Sequence, residues 1–154
     1  MTPTASAANT SAGQKPSTGP SRSTALDNQS SVYEDDAHGM EVLSTMAGNS
    51  PGQLVGTSPD ANFILLRTED VFTENIIEEY NWNAAAEFAD SAGADLITSS
   101  LGYTDFDDAA TSHTYADMNG HTCPSSIAAN RAFSKGILVC TSRTCPGAAW
   151  RGVS

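Results

Sequence analysis

Asn62-Phe63-Ile64-Leu65-Leu66-Arg67-Thr68 is a short, continuous apolar run between two turn-rich stretches. A run of that length with no polar alternation is the pattern of a strand covered on both faces, as in a parallel sheet. The residues after it repeat the signal. Glu69 to Asn75 is polar, and from Ile76 to Ala92 the spacing is helical. Ile76, Ile77, Tyr80, Ala84, Phe88 and Ala92 share the predicted inner face, with Glu78, Glu79, Glu87 and Asp90 turned to water as a solvated acidic face. Trp82 and Phe88 read as packing residues, and Gly93 closes the helix. Ala94-Asp95-Leu96-Ile97-Thr98-Ser99-Ser100-Leu101-Gly102-Tyr103 is a second strand that ends in a loop of small residues. A third helix is predicted over 125–134, closed by Gly136, and Ile137-Leu138-Val139-Cys140 begins a third strand. Strand, helix, strand, helix, strand with short links predicts an α/β fold with a parallel sheet. Right-handed crossovers place its strands side by side and helices on both faces. In such sheets sites form at the carboxyl ends of strands. Here those ends are Arg67-Thr68-Glu69-Asp70, Ser99-Ser100-Leu101-Gly102 and the residues that follow Val139.

Upstream of the first strand stands Asp35-Asp36-Ala37-His38-Gly39-Met40-Glu41-Val42-Leu43-Ser44-Thr45-Met46. Met40, Leu43, Met46 and Ala47 recur at spacings of three and four, so a helix begins at or just after His38. A histidine at a helix start is the side chain that changes charge nearest neutral pH, although capping or plain surface exposure is the simpler role for one taken alone. The helix is predicted to stop at Gly48-Asn49-Ser50-Pro51-Gly52. A short extended piece and a turn, Gln53 to Ala61, follow. Residues 1–31 are dominated by Ser, Thr, Ala, Gly, Pro, Asn and Gln and show no periodicity. They read as a disordered low-complexity tail, because they offer too little apolar surface to offset the entropy of ordering them. Residues 141–154 are likewise without periodicity and read as an irregular end, which leaves 32–140 as the folded part.

The chain has 154 residues, of which 39% are apolar and 16% charged. That suffices for one domain with a core. The formal net charge of -11 repels phosphate backbones and argues against nucleic-acid binding. No run approaches the ~20 apolar residues of a membrane span, and the N-terminus has no basic segment followed by an apolar one, as a secretory signal would. Three cysteines, Cys123, Cys140 and Cys145, do not make a closed disulfide framework and do not fix a compartment.

Four segments, in order, resemble one family. Asp36-Ala37-His38-Gly39-Met40-Glu41-Val42 resembles the H-G-T-x-V histidine motif of the subtilisin-like serine peptidases, the subtilases. Val55-Gly56-Thr57-Ser58-Pro59-Asp60-Ala61 resembles the G-x-A-P-x-A turn that leads into a buried strand. Ala94 to Tyr103 resembles the A-D-V-I-N-x-S-L-G strand, and Lys135-Gly136-Ile137-Leu138-Val139 the strand that carries the oxyanion asparagine. The resemblance implies a partial subtilisin-like domain with the three-layer α/β architecture of the family. It implies peptide-bond hydrolysis, with a polypeptide as substrate. His38 matches the general base, which takes a proton from a serine hydroxyl and returns it to the leaving amine. Ser100, Leu101 and Gly102 match the substrate-binding segment, whose backbone pairs with an extended peptide. The peptide chemistry requires no cofactor, and many subtilases use calcium for stability. Most are secreted.

The departures are as specific as the matches. The family's aspartate lies at the end of a strand before the histidine. No V-A-V-x-D-x-G stretch occurs here, and Asp27, the single acid before Glu34, has no strand pattern in front of it. After Val139 the residues are Cys140-Thr141-Ser142-Arg143, with no oxyanion asparagine, and the G-T-S-x-A-x-P nucleophile motif is absent. Met40 replaces the usual threonine. An acyl-enzyme cannot form without its nucleophile, so this chain alone is expected to be inactive, as a truncated or frame-shifted copy. The competing expectation is a non-catalytic α/β module that binds peptides or other partners.

Two further constellations have weaker spacing. His121 and Cys123 with Cys140 and Cys145 supply zinc-type ligands, but not in paired C-x-x-C order. Asp105, Asp107, Asp108, Asp117 and Asn119 offer oxygens for calcium, but not at EF-hand spacing. No G-x-G-x-x-G or Walker loop supports a nucleotide-binding reading of the same topology.

Overall fold

A computed structural model describes residues 4–8, 37–70 and 72–142. In chain order these form β1 (Thr4–Ala8), α1 (Ala37–Ala47), β2 (Asn49–Ser50), β3 (Leu54–Val55), β4 (Asn62–Leu66), α2 (Ile77–Ser91), β5 (Leu96–Ser99), α3 (Pro124–Ser134) and β6 (Leu138–Thr141). A 3-10 turn, Tyr115–Asp117, interrupts the long connection from β5 to α3.

The main sheet has the order β4-β1-β5-β6, and every pairing in it is parallel. Helices α2 and α3 are the crossovers β4–α2–β5 and β5–α3–β6, so the α/β class and the parallel sheet follow the sequence pattern. The strand neighbours do not. β4 and β5 were expected side by side, yet β1 lies between them, with Ala5 opposite both Phe63 and Leu96. This corrects the reading of residues 1–31 as a tail without structure, because 4–8 form an interior strand. Thr-Ala-Ser-Ala-Ala contains no aliphatic residue larger than alanine, so a search for apolar runs passes over it. An interior strand is held by backbone hydrogen bonds on both edges, and those carry no side-chain signature. Residues 9–31 of the expected tail lie outside the described residues, as do 143–154 of the expected C-terminal end. Thr141, the first residue of that end, belongs to β6.

The inner face of α2 is also rotated from the expected one. Its buried residues are Glu78, Glu79, Trp82, Ala85, Ala86 and Ala89. Ile77, Tyr80 and Phe88 are exposed, Ile77 and Tyr80 each at 54%. The sequence pattern weighted Ile77, Tyr80 and Phe88, whereas the packing selected Trp82 and three alanines. An alanine stripe lets α2 approach α3, whose buried residues are Ala128 and Ala132. Leu66, Trp82, Ala85, Ala86, Ala89, Ala94, Ile97, Ala128, Ala132 and Ile137 make one core, with Ile64 and Val139 packed against it. By strand register Ile64, Ile97 and Val139 share the sheet face under these helices. Trp82, 2% exposed, is its largest member, and burying a ring of that size is worth on the order of 3 kcal/mol or more. Its indole N–H donates to Ser99 Oγ at 3.3 Å, which meets the polar requirement of the ring. Gly93, at φ 78°, ends α2 in the left-handed region that favours glycine, as the sequence predicts.

At the other end, α1 is tied to the following turn by backbone bonds. β2 and β3 form an antiparallel hairpin where the stop cluster was predicted. Thr57 N–H donates to Thr45 O at 3.1 Å and Ser58 N–H to Met46 O at 2.8 Å, so the turn takes up the carbonyls left open at the end of α1. Gly56 makes the approach feasible, since a Cβ there would stand 2.3 Å from Met46 O.

Candidate functional site

His38 is the second residue of α1, half-buried, and the neighbouring Gly39 is buried. The helix start predicted at this histidine is therefore observed. Ser100, Leu101 and Gly102 follow β5 directly, at its carboxyl end. Leu101 and Gly102 line a cleft of about 270 Å³ with Trp82, Ser99, Tyr103, Met118, Ser125 and Thr141 among its walls. The cleft opens at the carboxyl ends of β5 and β6, the edge where parallel sheets place their sites. Ser100 and His38 are not among its lining residues.

The first of the strand ends expected to carry chemistry, Arg67 to Asp70, holds a buried acidic group. Thr68 is buried, and its hydroxyl donates to Glu69 Oε1 at 2.8 Å. The Tyr103 hydroxyl donates to the same oxygen. Glu78, from the first turn of α2, accepts the Asp70 N–H at 2.9 Å through Oε1. Its Oε2 is buried with no hydrogen-bond partner among the described residues. Burial, and then the charge of Glu69, push the Glu78 carboxyl up to about 8. Burial also raises Glu69, against the lowering effect of its bonds from Tyr103 and Thr68. Burial raises Tyr103 well above the usual phenol range, with the charge of Glu69 adding to it. Glu74 is raised by burial and by the charge of Asp107. This corrects the solvated-face reading of Glu78. A group that holds its proton at neutral pH is tolerated in the core far more readily than a charge.

Glu79, also expected in water, is fully buried on the far side of the same turn. Its Oε2 meets His113 Nε2 at 2.6 Å. Its Oε1 accepts both the Ser125 N–H at 3.2 Å and the Ser125 hydroxyl at 2.6 Å. The Cys123 thiol completes the group. It is buried, 3.2 Å from Asp117 O and 3.9 Å from Met118 Sδ. Burial pushes that thiol up, with the Glu79 and Asp117 charges adding to it. Sequence reasoning singled out Cys123 but paired it with His121, Cys140 and Cys145. The structure leaves His121 and Cys140 exposed, and Cys145 lies outside the described residues. Neither Glu79 nor His113 was marked by spacing. The one available signal was a pair of glutamates, Glu78-Glu79, in step with the alanine face rather than opposite it.

The acidic loop engages its oxygens with N–H groups and a hydroxyl of the protein itself. Asp107 Oδ2 accepts the Glu74 N–H at 3.1 Å, and Asp108 Oδ1 accepts the Ala110 N–H at 3.0 Å. Asp117 Oδ2 accepts the Thr114 N–H at 2.7 Å and the Thr114 hydroxyl at 2.6 Å, bonds that hold its carboxyl below the usual carboxylate range. Asn119 Oδ1 accepts the His121 and Thr122 N–H groups. Apart from the Asp107–Glu74 bond, which ties the loop to the segment before α2, these are turn caps of the kind short polar side chains make.

The model of the subtilase family matches residues 7–144. The chain belongs to the subtilase family. The subtilase match begins inside β1, so the first strand is part of the matched domain, and the family-like sequence is not confined to 32–140. No curated protein matches the chain. The four motif segments that resemble subtilases all fall within the matched span, and the cleft residues Leu101 and Gly102 stand at the end of a parallel strand, as that resemblance implies. Among the described residues no helix is long and apolar enough to cross a membrane.

Proposed function

We propose that this chain is part of a subtilisin-like serine endopeptidase domain, acting on polypeptides, in which His38 is the general base and Ser100, Leu101 and Gly102 form a substrate-binding edge. The family match over residues 7–144 carries this reading. His38 at a helix start, and an open cleft beside the carboxyl end of β5, support it. An extended peptide laid along Ser100–Gly102 would add a strand through backbone bonds, with the cleft receiving a side chain. The three-layer arrangement belongs to the same reading. Phe63, Leu65, Leu96 and Leu138 share the sheet face turned away from α2 and α3, and an apolar face of that kind calls for a second helical layer. No cofactor is needed for the peptide chemistry, and calcium would act on stability alone.

By itself the 154-residue chain is expected to hydrolyse no peptide bond above background. His38 has no G-T-S-x-A-x-P serine to activate, and the residue that follows β1 in the sequence is Asn9, not an aspartate. An asparagine cannot supply the negative charge that stabilises an imidazolium. The test is a protease assay of the purified chain beside its His38→Ala variant, with a fluorophosphonate probe for an activated serine. No turnover and no labelling are expected from either protein. Turnover that disappears in His38→Ala would overturn the prediction of inactivity. The second reading, a module that binds peptides without cleaving them, is favoured by the same cleft. Saturable peptide binding lost on Gly102→Val, with no cleavage, would support it.

A further inference from the structure

Glu79, His113 and Cys123 come from three separate segments: the first turn of α2, the long loop after β5, and the residue that caps the start of α3. One ligand atom from each, a Glu79 carboxylate oxygen, a His113 ring nitrogen and Cys123 Sγ, can be chosen so that all lie within 4.8 Å of one another. The Glu79 and His113 side chains are 0% and 11% exposed, and Cys123 is 1% exposed. We propose that this cluster is a structural site for zinc or a similar borderline-soft divalent metal, independent of the peptidase reading.

The donor set selects the metal. A thiolate, an imidazole and a carboxylate suit zinc, whereas calcium and magnesium take oxygen donors alone. Zinc bonds of roughly 2.0–2.3 Å in tetrahedral geometry hold ligand atoms about 3.3–3.8 Å apart. The His113–Glu79 contact of 2.6 Å must therefore widen, and the thiol must close in from within 4.8 Å. Both are side-chain adjustments.

Charge favours the bound state. With the thiol proton released to solvent, one thiolate, one carboxylate and a neutral imidazole balance a divalent ion, so the buried site becomes neutral. The supporting contacts are already in place. Glu79 Oε1 is fixed by the Ser125 N–H and hydroxyl, outer contacts of the kind that ligating carboxylates usually keep. The His113 ring is held edge-on by Phe106, with centroids 5.6 Å apart at 83°. The Met118 thioether beside the thiol is positioned as a further soft neighbour. Three elements would then be pinned at one point. Because Met118 and Ser125 also line the cleft, the metal would stiffen one of its walls.

The full chain, reduced and stripped with a chelator, is reloaded with zinc alone and with cobalt alone. Stoichiometric zinc retention after gel filtration is expected, and so is a thiolate-to-cobalt charge-transfer band with tetrahedral ligand-field bands. Cys123→Ala, a small change at a helix cap whose folding is checked by circular dichroism, should abolish the charge-transfer band. It should weaken zinc binding by at least ~100-fold, as expected when a direct ligand is lost rather than an outer contact. The Cys140→Ser/Cys145→Ser double variant should keep both properties, since the proposed ligand set includes neither thiol. No thiolate band in the wild-type chain, a band that survives in Cys123→Ala, or a band lost in the double variant would each overturn the proposal.

Discussion

Glu78 and Glu79 are consecutive, both lie in the first turn of α2, and both are buried, yet the two carboxyls are in opposite situations. Glu79 has every contact a buried carboxylate requires: His113 on one oxygen and two donors from Ser125 on the other. Glu78 has one backbone donor, an oxygen without a partner, and Glu69 and Glu74 as negative neighbours. Adjacent positions on a helix point about 100° apart, so one residue faces the loop and α3 while the next faces the end of β4. A buried carboxyl is therefore resolved in two ways here. One is hydrogen-bonded on both oxygens, and the other holds its proton.

The largest break in that contrast should come from Glu79→Ala, measured in zinc-free buffer. It leaves His113 and two Ser125 donors without their acceptor and opens a small cavity. A loss of about 2–4 kcal/mol in urea unfolding is expected. A loss below about 0.5 kcal/mol would show that the cluster is not built around this residue.

Glu78 gives a pH dependence of the opposite character. Its folded-state value, about 8, lies above the ordinary glutamate value of 4.5. The folded state therefore binds the proton more tightly than the unfolded state. That contribution is fully present below about 4.5 and is lost as pH rises through about 8. Glu69 and Glu74 shift in the same direction. The melting temperature should fall between pH 5 and pH 8, and Glu78→Gln, which imitates the protonated carboxyl, should flatten that slope. An unchanged slope in Glu78→Gln would place the titration elsewhere.

The smallest effect sharpens the contrast. Ser125→Ala removes one hydroxyl donor from Glu79 but keeps the backbone N–H, and should cost about 1–2 kcal/mol by the same unfolding measurement. The variant should leave the pH slope assigned to Glu78 as it is. A change in that slope would mean the two carboxyls are one coupled system rather than two.

Much of the frame was legible in the sequence. The apolar run at 62–66, the helical spacing before Gly93 and the run at 138–140 gave the α/β class, the three helices and three of the four strands of the parallel sheet. The motifs around His38 and Leu101 gave the family. These features are local: each depends on backbone propensity, apolar periodicity or a short ordered string of residues. What failed was what depends on neighbours distant in the chain. Thr4–Ala8 has no local mark of an interior strand, because its place is fixed by hydrogen bonds to β4 and β5. The inner face of α2 was chosen by the room between helices, which admitted Ala85, Ala86 and Ala89 and turned Tyr80 and Phe88 outward. Glu79, His113 and Cys123 are separated by 34 and then 10 residues, and no spacing rule joins them. The sequence by itself determined the helices, the strands with apolar runs and the family they belong to. Only the tertiary structure decided which residues those elements bury and which side chains meet, because burial and side-chain contact are set by the packing of the whole chain and not by any one segment of it.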